Sequence, residues 1–427
     1  MRVVQYQNLP DSFFEYKDDN DACSRVKKIL YDVKIKGDWA VVKYTRQFDS
    51  VSLKNIRVNP EEIVVAYKRA DKEFLQAITI AGQNIRRFSQ HQFAQISGFR
   101  QQVVPGVIAE QRVIPMQRIG IYVPGGRYPL VSTMLMCAIP AQVVGVQEIV
   151  VCSRPGENGT VSPAILAAAK LLGLRDIYRV GGAQAIAAMA YGTESVKKVD
   201  KIVGPGNRYV TQAKKEVYGI VGIDFIAGPS EIMIIADRHA EPKIVAADLI
   251  AQAEHDVDAV PLLVTDSRSL AFEVLKEARK QLTLLKTRET AKKSLAKNGM
   301  IILVKNMDEA VEIANKKAPE HLELQVKNPS ELVDKLRNYG SLFIGKYAAG
   351  VLGDYSSGLN HTLPTNQATR YTGGLSVRDF VKIQTLLKVT KKGLASIGGV
   401  AEAIARVEGL DGHAQAVKIR SGGSAWI

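Results

Sequence analysis

Short apolar segments alternate with helical segments through the middle of the chain, and this alternation constrains the fold more than any other feature. A first set of predicted strands and helices extends from Ile119 to Tyr218, and a second set extends from Ile232 to Ile344. Strands separated by helices of this length need crossover connections, which produce parallel sheets. The sequence therefore predicts two doubly wound α/β units in succession, with a cleft between them.

The segments on either side of this alternation look different. Residues 22–48 have helical periodicity that is broken at Gly37, and Pro60 opens a long predicted helix that runs through Ile85. In the tail, Phe380–Val389 and Gly398–Arg406 are predicted to be helices. Small terminal modules of this kind often form subunit contacts.

Composition and charge exclude several classes of protein. A chain of 427 residues is too long for one hydrophobic core, and it contains no apolar run long enough for a membrane span. Its first residues lack the apolar core of a signal peptide, so a cytoplasmic enzyme is expected. Cys23, Cys137 and Cys152 form no Cys-x-x-Cys pair, which argues against a thiolate zinc site or a disulfide framework.

The net charge of +14 raises the question of nucleic-acid binding. The basic residues are spread along the chain with acidic residues among them, as Glu277 and Glu289 are between Lys276 and Lys297. No basic-aromatic module or zinc-finger spacing is present. A basic surface that attracts anionic substrates or cofactors is therefore the favoured interpretation.

Glycine-rich turns follow several predicted strands, at Gly125-Gly126, Gly181-Gly182, Gly204-Pro205-Gly206 and Gly228-Pro229-Ser230. Such turns at the carboxyl edge of a doubly wound sheet can receive an anionic ligand at a helix N-terminus. Glycine chosen only for the shape of a tight turn explains any one of them more often than not, but four such turns in one region favour an anionic ligand. Neither the Gly-x-Gly-x-x-Gly nor the P-loop fingerprint is present.

Polar residues that suit catalysis occur in four places. Gln252 and His255 lie on one face of the predicted helix Pro242–His255, where they offer half of a metal site. Glu320 and His321 pair a carboxylate with an imidazole, which suits two proton-transfer roles. Asp354 and His361 lie in a predicted loop, and Glu408 and His413 lie near glycines in the tail. Singly, each is also explained by surface polarity or turn chemistry.

Together these motifs resemble histidinol dehydrogenase over nearly the whole chain, most weakly before about Asn84. The segments that carry the resemblance are Tyr122-Val123-Pro124-Gly125-Gly126, Gly181-Gly182-Ala183-Gln184-Ala185, Gly204-Pro205-Gly206-Asn207, Ala227-Gly228-Pro229-Ser230-Glu231, Gln252-Ala253-Glu254-His255, Pro319-Glu320-His321-Leu322-Glu323, Gly353-Asp354-Tyr355 with Asn360-His361, and Glu408-Gly409-Leu410 with His413. No catalytic or ligand position in these segments is substituted.

The resemblance implies an enzyme that oxidises L-histidinol to L-histidine with two NAD⁺, the last step of histidine biosynthesis, with one zinc ion per subunit. The implied zinc ligands are Gln252, His255, Asp354 and His413. The implied NAD contacts are Tyr122, Gln184 and Asn207. The implied substrate contacts are Ser230, Gln252, His255, Glu320, His321, Asp354, His361, Glu408 and His413.

The implied roles agree with physical chemistry. Zinc serves chiefly as a template for the substrate's amino and imidazole nitrogens. His321 is the general base for the alcohol, and Glu320 activates the water that hydrates the bound histidinaldehyde. The resemblance also implies a domain-exchanged homodimer in which the partner subunit supplies His413.

The resulting fold class is α/β: two doubly wound, incomplete Rossmann-like domains that form a cleft, plus small, mainly helical N- and C-terminal dimerisation elements. Residues 22–120 with 230–370 are expected to form the zinc and catalytic domain, and residues 121–229 the NAD domain. Residues 1–21 are expected to be an arm that packs with 371–385, and residues 386–427 a helical dimerisation module.

Two alternatives remain. A relative that oxidises another small polar alcohol, such as a sulfonated propanediol, would use the same zinc and NAD, but its imidazole-binding residues would change; Glu408 and His413 are retained here. A non-catalytic basic protein that binds nucleic acid or serves as a scaffold has no reason to keep both Glu320 and His321. No nucleic-acid or membrane partner is expected.

Overall fold

The computed structural model describes residues 1–15, 22–126 and 128–422. Residues 16–21 of the expected N-terminal arm and residues 423–427 of the expected tail module lie outside the described residues. None of the described helices is long and apolar enough to cross a membrane.

The strands are numbered in chain order: β1 (Arg2–Gln5), β2 (Phe99–Val104), β3 (Val107–Pro115), β4 (Arg118–Val123), β5 (Glu148–Ser153), β6 (Asp176–Tyr178), β7 (Lys201–Val203), β8 (Gly222–Ile223), β9 (Glu231–Ala236), β10 (Val260–Thr265), β11 (Met300–Leu303), β12 (His321–Gln325), β13 (Ser341–Ile344) and β14 (Val381–Val389). Short 3₁₀ turns occur at Tyr6–Asn8, Asp11–Phe14, Ala368–Arg370 and Val377–Phe380.

The helices are α1 (Cys23–Asp49), α2 (Pro60–Arg69), α3 (Lys72–Ala94), α4 (Val131–Val144), α5 (Pro163–Leu171), α6 (Gly182–Tyr191), α7 (Arg208–Val217), α8 (Pro242–Ala253), α9 (Arg268–Leu282), α10 (Arg288–Lys297), α11 (Met307–Lys317), α12 (Ser330–Val333), α13 (Gly350–Tyr355), α14 (Lys391–Val407) and α15 (Asp411–Arg420).

Local sequence signals explain where the first helices break. Gly37 has a φ of 53° inside α1, which confirms the predicted interruption. The single long helix predicted after Pro60 is wrong, because the side chain of Asp71 accepts a hydrogen bond from the Phe74 N–H and caps a second helix. Asn59 and Glu62 form a capping box at the start of α2.

The smaller parallel sheet has the strand order β6-β5-β4-β7-β8. In the order of their appearance, this is the 3-2-1-4-5 arrangement of a mononucleotide-binding half. Apolar side chains cover both of its faces: Ile121 and Val151 pack on one side, and Val150 and Cys152 pack on the other. The sheet is therefore doubly wound, as the sequence predicts.

The N-terminal helices pack on this smaller sheet. Helix α1 lies against α6, α2 lies against α5, and α3 lies against α4. Their buried side chains join the cores of the smaller sheet, as Val26 does on one face and Ile85 on the other. This packing differs from the expected grouping of residues 22–120 with 230–370. The apolar faces of α1–α3 pack on α4–α6, the helices of the smaller sheet, and not on the larger sheet.

The larger parallel sheet has the order β1-β11-β10-β9-β12-β13. From β9 onward this is again the 3-2-1-4-5 arrangement, so the two units share a topology that is not visible as a sequence repeat. The expected N-terminal arm contributes a strand to this sheet, because β1 pairs in parallel with Met300–Leu303 at the sheet edge. The sequence reading also missed β12, whose first residue is His321.

A third, antiparallel sheet contains β14, β3 and β2 in that order. The predicted helix at Phe380–Val389 is wrong, because Val381–Val389 pairs with Val107–Pro115 as a long strand. The physical reason is a residue pattern of period two, in which Ile383 and Thr385 alternate with Lys382 and Gln384. Beyond this strand, α14 and α15 pack mainly against each other.

Candidate active site

The candidate site lies at the amino edge of the larger sheet. Glu231 begins β9 and His321 begins β12, and the register places His321 beside Ile232. Helix α8 ends at this same edge, because the next strand, β10, starts there at Val260. The first residues of two central strands and the end of one helix therefore converge on one place.

His321 is enclosed by oxygen atoms and by one aromatic ring. Its Nδ1 lies 3.3 Å from the Glu231 carbonyl oxygen and 3.6 Å from Oε2 of Glu320. Its Nε2 lies 3.3 Å from Oδ1 of Asp354. The ring stacks on Phe343 with a centroid separation of 5.9 Å. Burial would lower the pKa of His321, but the carboxylates of Glu320 and Asp354 raise it well above its usual value.

Glu231 links the two expected catalytic residues. Its N–H donates to Oε2 of Glu320 at 2.9 Å, and its carbonyl faces His321. Its own carboxylate accepts the Asn366 N–H at 2.9 Å and lies 3.7 Å from Nζ of Lys317. Burial raises the pKa of Glu231. The sequence reading assigned Glu231 no role, although an acid that opens an otherwise apolar strand was a visible signal.

Asp354 was expected in a loop but lies on the short helix α13, Gly350–Tyr355. The Gly350 N–H donates to Oε1 of Glu323 at 2.9 Å, which fixes the start of this helix against β12. Burial would raise the pKa of the Asp354 carboxyl, but the neighbouring His321, His361 and His255 hold it below its usual range. Asp354 is therefore an anion among three imidazoles.

His361 connects this edge to the smaller sheet. Its Nδ1 lies 3.0 Å from the Asp354 carbonyl oxygen, and its Nε2 lies 3.3 Å from Oγ1 of Thr133. Burial lowers the pKa of His361, so the ring is neutral at neutral pH. Since a carbonyl only accepts, Nδ1 carries the proton and the Thr133 hydroxyl donates to Nε2. The sequence reading missed Thr133, which no motif distinguishes within its apolar helix.

Gln252 and His255 occupy the end of α8. The helix ends at Ala253, so Gln252 is helical while His255 lies just beyond it, a correction to the expected helix Pro242–His255. Gln252 is buried, and its Nε2 makes no hydrogen bond with any described residue. His255 is close enough to Asp354 to lower the pKa of that carboxyl.

These donors fit a zinc ion. The buried side-chain amide of Gln252 leaves its Nε2 without a hydrogen-bond partner among the described residues. Exchanging the positions of the amide nitrogen and oxygen would turn the oxygen towards a cation at this place. An imidazole and an ionised carboxylate beside it complete the kind of nitrogen and oxygen donor set that zinc accepts. Within residues 1–15, 22–126 and 128–422, no three histidine, cysteine or carboxylate side chains of one chain converge as a metal cluster.

The two tail residues are not brought to this cluster. Glu408 follows α14 and His413 lies on α15, and both are exposed. Neither side chain makes a hydrogen bond or ion pair with any residue that the structure describes. The structure of one chain therefore brings Glu320, His321, His255, Asp354 and His361 together, with Gln252 at the end of α8, and leaves Glu408 and His413 apart.

The expected NAD residues lie at the carboxyl edge of the smaller sheet. Tyr122 is the second-last residue of β4, and its hydroxyl accepts a hydrogen bond from the Gly182 N–H at 3.1 Å. Burial raises the pKa of Tyr122 to about 12, so the hydroxyl keeps its proton. Gln184 is 1% exposed, and its Oε1 has no hydrogen-bond partner among the described residues. Asn207 caps α7 by accepting from the N–H groups of Tyr209 and Val210.

The glycine turns have a reason within the chain itself. A Cβ at Gly125 would lie 2.7 Å from Oγ of Ser153, and one at Gly181 would lie 2.8 Å from Cβ of Arg154. Gly204 has a φ of +111°, and a Cβ there would overlap the Tyr122 carbonyl oxygen. Close approach between neighbouring turns thus requires glycine at these positions, whether or not an anion binds.

Ser230 lies between the two edges. It directly precedes β9, and its carbonyl oxygen accepts the Val260 N–H at 2.9 Å. Two residues earlier, the Gly228 N–H donates to the hydroxyl of Thr365. On the opposite side, the amide of Asn360 donates to the Met136 carbonyl at 2.7 Å. The segment around residues 360–366 therefore holds the two sheet edges together across the site.

Comparisons with known proteins agree with this geometry. The sequence model of histidinol dehydrogenase matches residues 14–421. The chain is 45% identical over 403 residues to histidinol dehydrogenase of Methanothermobacter thermautotrophicus, with 94% of each chain covered. It is 46% identical over 402 residues to that of Chlorobium chlorochromatii, again with 94% of each covered. The crystal structure of histidinol dehydrogenase from Elizabethkingia anophelis aligns with a TM-score of 0.92 at 39% identity over 98% of each chain. These matches favour neither alternative function.

Proposed function

The chain belongs to the histidinol dehydrogenase family of oxidoreductases, and from this premise we propose that it oxidises L-histidinol to L-histidine with two NAD⁺ at a zinc site in the cleft. The observation that carries the proposal is the buried cluster of His321, Glu320 and Asp354 at the amino edge of the larger sheet. It brings an imidazole base, a carboxylate base and an anionic ligand within a few ångströms of one another.

His321 is the proposed general base for the alcohol. As a base it must present one unprotonated nitrogen, and Nδ1 keeps its proton because its neighbour, the Glu231 carbonyl, only accepts. Nε2 faces Oδ1 of Asp354, which also only accepts, so that nitrogen carries a proton while the carboxylate stays unligated. If Asp354 binds zinc, Nε2 would be free to take the alcohol proton as hydride leaves the carbon. The Phe343 ring and the Glu231 carbonyl hold the imidazole in this orientation.

Glu320 is the proposed base for the aldehyde step. Its Oε2 accepts the Glu231 N–H, whereas its Oε1 makes no hydrogen bond with any described residue. We assign Oε1 to the water that hydrates histidinaldehyde. The diol that forms then loses a second hydride to give the acid, with His321 again receiving the proton.

Gln252, His255 and Asp354 are proposed to hold zinc from one chain. The unpartnered amide of Gln252 and the anionic Asp354 support this assignment. When bound, the ion serves as a template that orients the substrate's nitrogens beside the cofactor. His361 and Ser230 are the proposed substrate contacts on the same side.

NAD⁺ is proposed to bind at the carboxyl edge of the smaller sheet, with contacts from Tyr122, Gln184 and Asn207. The buried Oε1 of Gln184, which lacks a partner among the described residues, supports this site. A mononucleotide-binding strand order also favours a cofactor at that edge.

Glu408 and His413 are proposed to act in the partner subunit's site of a homodimer. Both are exposed on a tail whose helices pack mainly against each other. The tail also exposes apolar side chains, with Val400 62%, Ile404 55% and Val407 90% accessible. Apolar surface of this kind on a terminal module is typical of a subunit contact. We place this homodimer in the cytoplasm.

One assay tests the proposed function. Purified protein is mixed with L-histidinol and NAD⁺, and NADH is followed by its absorbance. Two NADH formed per histidinol consumed, with loss of rate on chelation and recovery with added zinc, is the expected result. Turnover of another small polar alcohol without turnover of histidinol would contradict the proposal.

A further inference from the structure

A buried ion pair lies directly behind the Gly204–Asn207 turn. Lys214 lies on α7 and Asp224 follows β8, and Nζ of Lys214 forms an ion pair with Oδ1 of Asp224. Their side chains are 3% and 0% exposed. Charges this deeply buried lose their hydration, so a specific set of contacts must stabilise them.

The contacts of this ion pair converge on a single residue of the turn. Oδ2 of Asp224 accepts the Gly204 N–H at 2.8 Å, and Nζ of Lys214 donates to the Gly204 carbonyl oxygen at 3.0 Å. Oδ1 of Asp224 also accepts the Phe225 N–H at 2.8 Å. The two charged groups thus form hydrogen bonds with both the backbone N–H and the carbonyl oxygen of Gly204.

Gly204 needs such support because its conformation is unusual. Its φ of +111° lies in a region that side chains rarely adopt, and it packs directly on the Tyr122 backbone. Asn207, three residues later, caps α7, and Lys214 lies on that same helix. The ion pair therefore ties a helix to the turn that begins it, next to Tyr122.

From this arrangement we propose that Lys214 and Asp224 are positioning residues for the cofactor, which hold the Gly204–Asn207 turn in the shape that receives NAD⁺. The inference rests on the proposed NAD⁺ site at Tyr122, Gln184 and Asn207. A buried ion pair contributes little net stability compared with apolar side chains of similar size. Control of the turn explains why charges are present here.

The test uses the double variant Lys214→Met/Asp224→Leu. Removing both charges leaves no unpaired buried ion, so the protein is expected to fold, but Gly204 loses both of its side-chain contacts. We expect the dissociation constant and the KM for NAD⁺ to rise about tenfold or more, because the turn loses the two charge-assisted hydrogen bonds that hold it in shape. The KM for histidinol is expected to stay within about twofold.

The matched control is Lys201→Met. Lys201 begins β7, the strand that ends just before Gly204, and its Nζ lies 2.8 Å from Oδ1 of Asp379. This variant also breaks a largely buried ion pair, at the end of β7 that lies away from the turn. It is expected to lower thermal stability without changing the affinity for NAD⁺.

Binding of NAD⁺ is measured by calorimetry on zinc-loaded protein, so it does not depend on turnover. A folded double variant that binds NAD⁺ as the wild type does would overturn the inference, as would an equal loss in Lys201→Met. Should the double variant fail to fold, Lys214→Gln/Asp224→Asn decides: it removes both charges but keeps a neutral acceptor for the Gly204 N–H and a neutral donor for its carbonyl, so a rise of about threefold is expected. Unchanged binding in that variant counts against the inference. By contrast, wild-type protein that binds NAD⁺ but forms no NADH from histidinol contradicts the proposed function alone.

Discussion

The two parallel sheets share one strand order but turn opposite edges towards the cleft. The smaller sheet presents its carboxyl edge, where Gly204 follows β7 and the amino end of α4 follows β4. The larger sheet presents its amino edge, where Glu231 and His321 begin β9 and β12. The segment around His361 joins the two edges through the hydroxyl of Thr133.

This difference separates two kinds of chemistry. The edge of the smaller sheet consists mostly of backbone turns, whose glycines are needed for close approach and whose polar atoms are held by buried partners such as Lys214. The edge of the larger sheet consists of titratable side chains that shift one another's pKa values, as Glu320 and Asp354 do for His321. One edge is suited to hold a cofactor, and the other is suited to move protons.

The largest expected effect comes from removing the base at the amino edge. His321→Asn is expected to lower kcat for both oxidations by about a thousandfold, because the imidazole that takes the proton from the alcohol and from the diol is lost. The measurement is NADH formation from histidinol and, separately, from histidinaldehyde.

The control for this variant lies at the opposite edge of the same sheet. His239 follows the carboxyl end of β9 and pairs with Asp237 at 3.4 Å. His239→Asn is expected to leave both rates within about twofold of the wild type. If both variants lost activity to the same extent, the edge of the sheet would not be what distinguishes the two histidines.

A smaller effect, confined to one half of the reaction, is expected for Glu320→Gln. The amide still accepts the Glu231 N–H but cannot take a proton from water. Oxidation of histidinaldehyde is expected to slow by about a hundredfold, whereas the first NADH forms at a rate near that of the wild type. Single-turnover kinetics separate the two steps. Equal losses on both steps would contradict the assignment of separate roles to Glu320 and His321.

A third prediction tests whether the tail completes the site from the partner subunit. His255→Ala and His413→Ala proteins are each expected to be inactive, and mixing them under conditions of subunit exchange should restore activity. Random exchange makes about half of the dimers mixed, each with one intact site, so about a quarter of wild-type activity is expected. No recovery despite verified exchange would argue that all ligands come from one chain.

The sequence predicts the parallel units well because their strands are apolar on both faces. β4, β5 and β9 carry continuous apolar runs bounded by turns, and the structure confirms them. β12 was missed because Glu323, a buried acid, interrupts its apolar pattern. β14 was predicted to be a helix because most of its side chains are exposed and its partner, β3, lies far away in the chain.

The site could be predicted only in part for a related reason. Individual side chains such as His321 and Asp354 stand in recognisable motifs, whereas their mutual contacts depend on which sheet edge each motif occupies. The general rule that ligands bind at carboxyl edges agrees with the NAD⁺ site that we propose at the smaller sheet, but it does not predict a site at the amino edge of the larger one. Glu231 and Thr133 belong to the site only through contacts across the fold.

The smallest effect on activity is expected at Glu323, a buried acid two residues beyond His321. Burial and the neighbouring Asp248 raise the pKa of Glu323 to about 8, and burial raises the pKa of Asp248 to about 6. Glu323 thus carries a proton at neutral pH while its Oε1 accepts the Gly350 N–H. Glutamine mimics this protonated form, so Glu323→Gln is expected to keep kcat within about twofold.

The variant should instead change how stability depends on pH. A carboxyl group whose pKa is raised by folding contributes stability below its unfolded pKa and loses that contribution as pH rises through the folded value. The Tm of the wild type is therefore expected to fall between about pH 5 and pH 8, and that of Glu323→Gln to fall less. Glu289→Gln, at a side chain that is 72% exposed, should retain the wild-type slope. If Glu323→Gln instead lost activity as strongly as Glu320→Gln, Glu323 would have to exchange its proton during the reaction. Glu320 could then no longer be described as the acid that reacts and Glu323 as the acid that only supports α13.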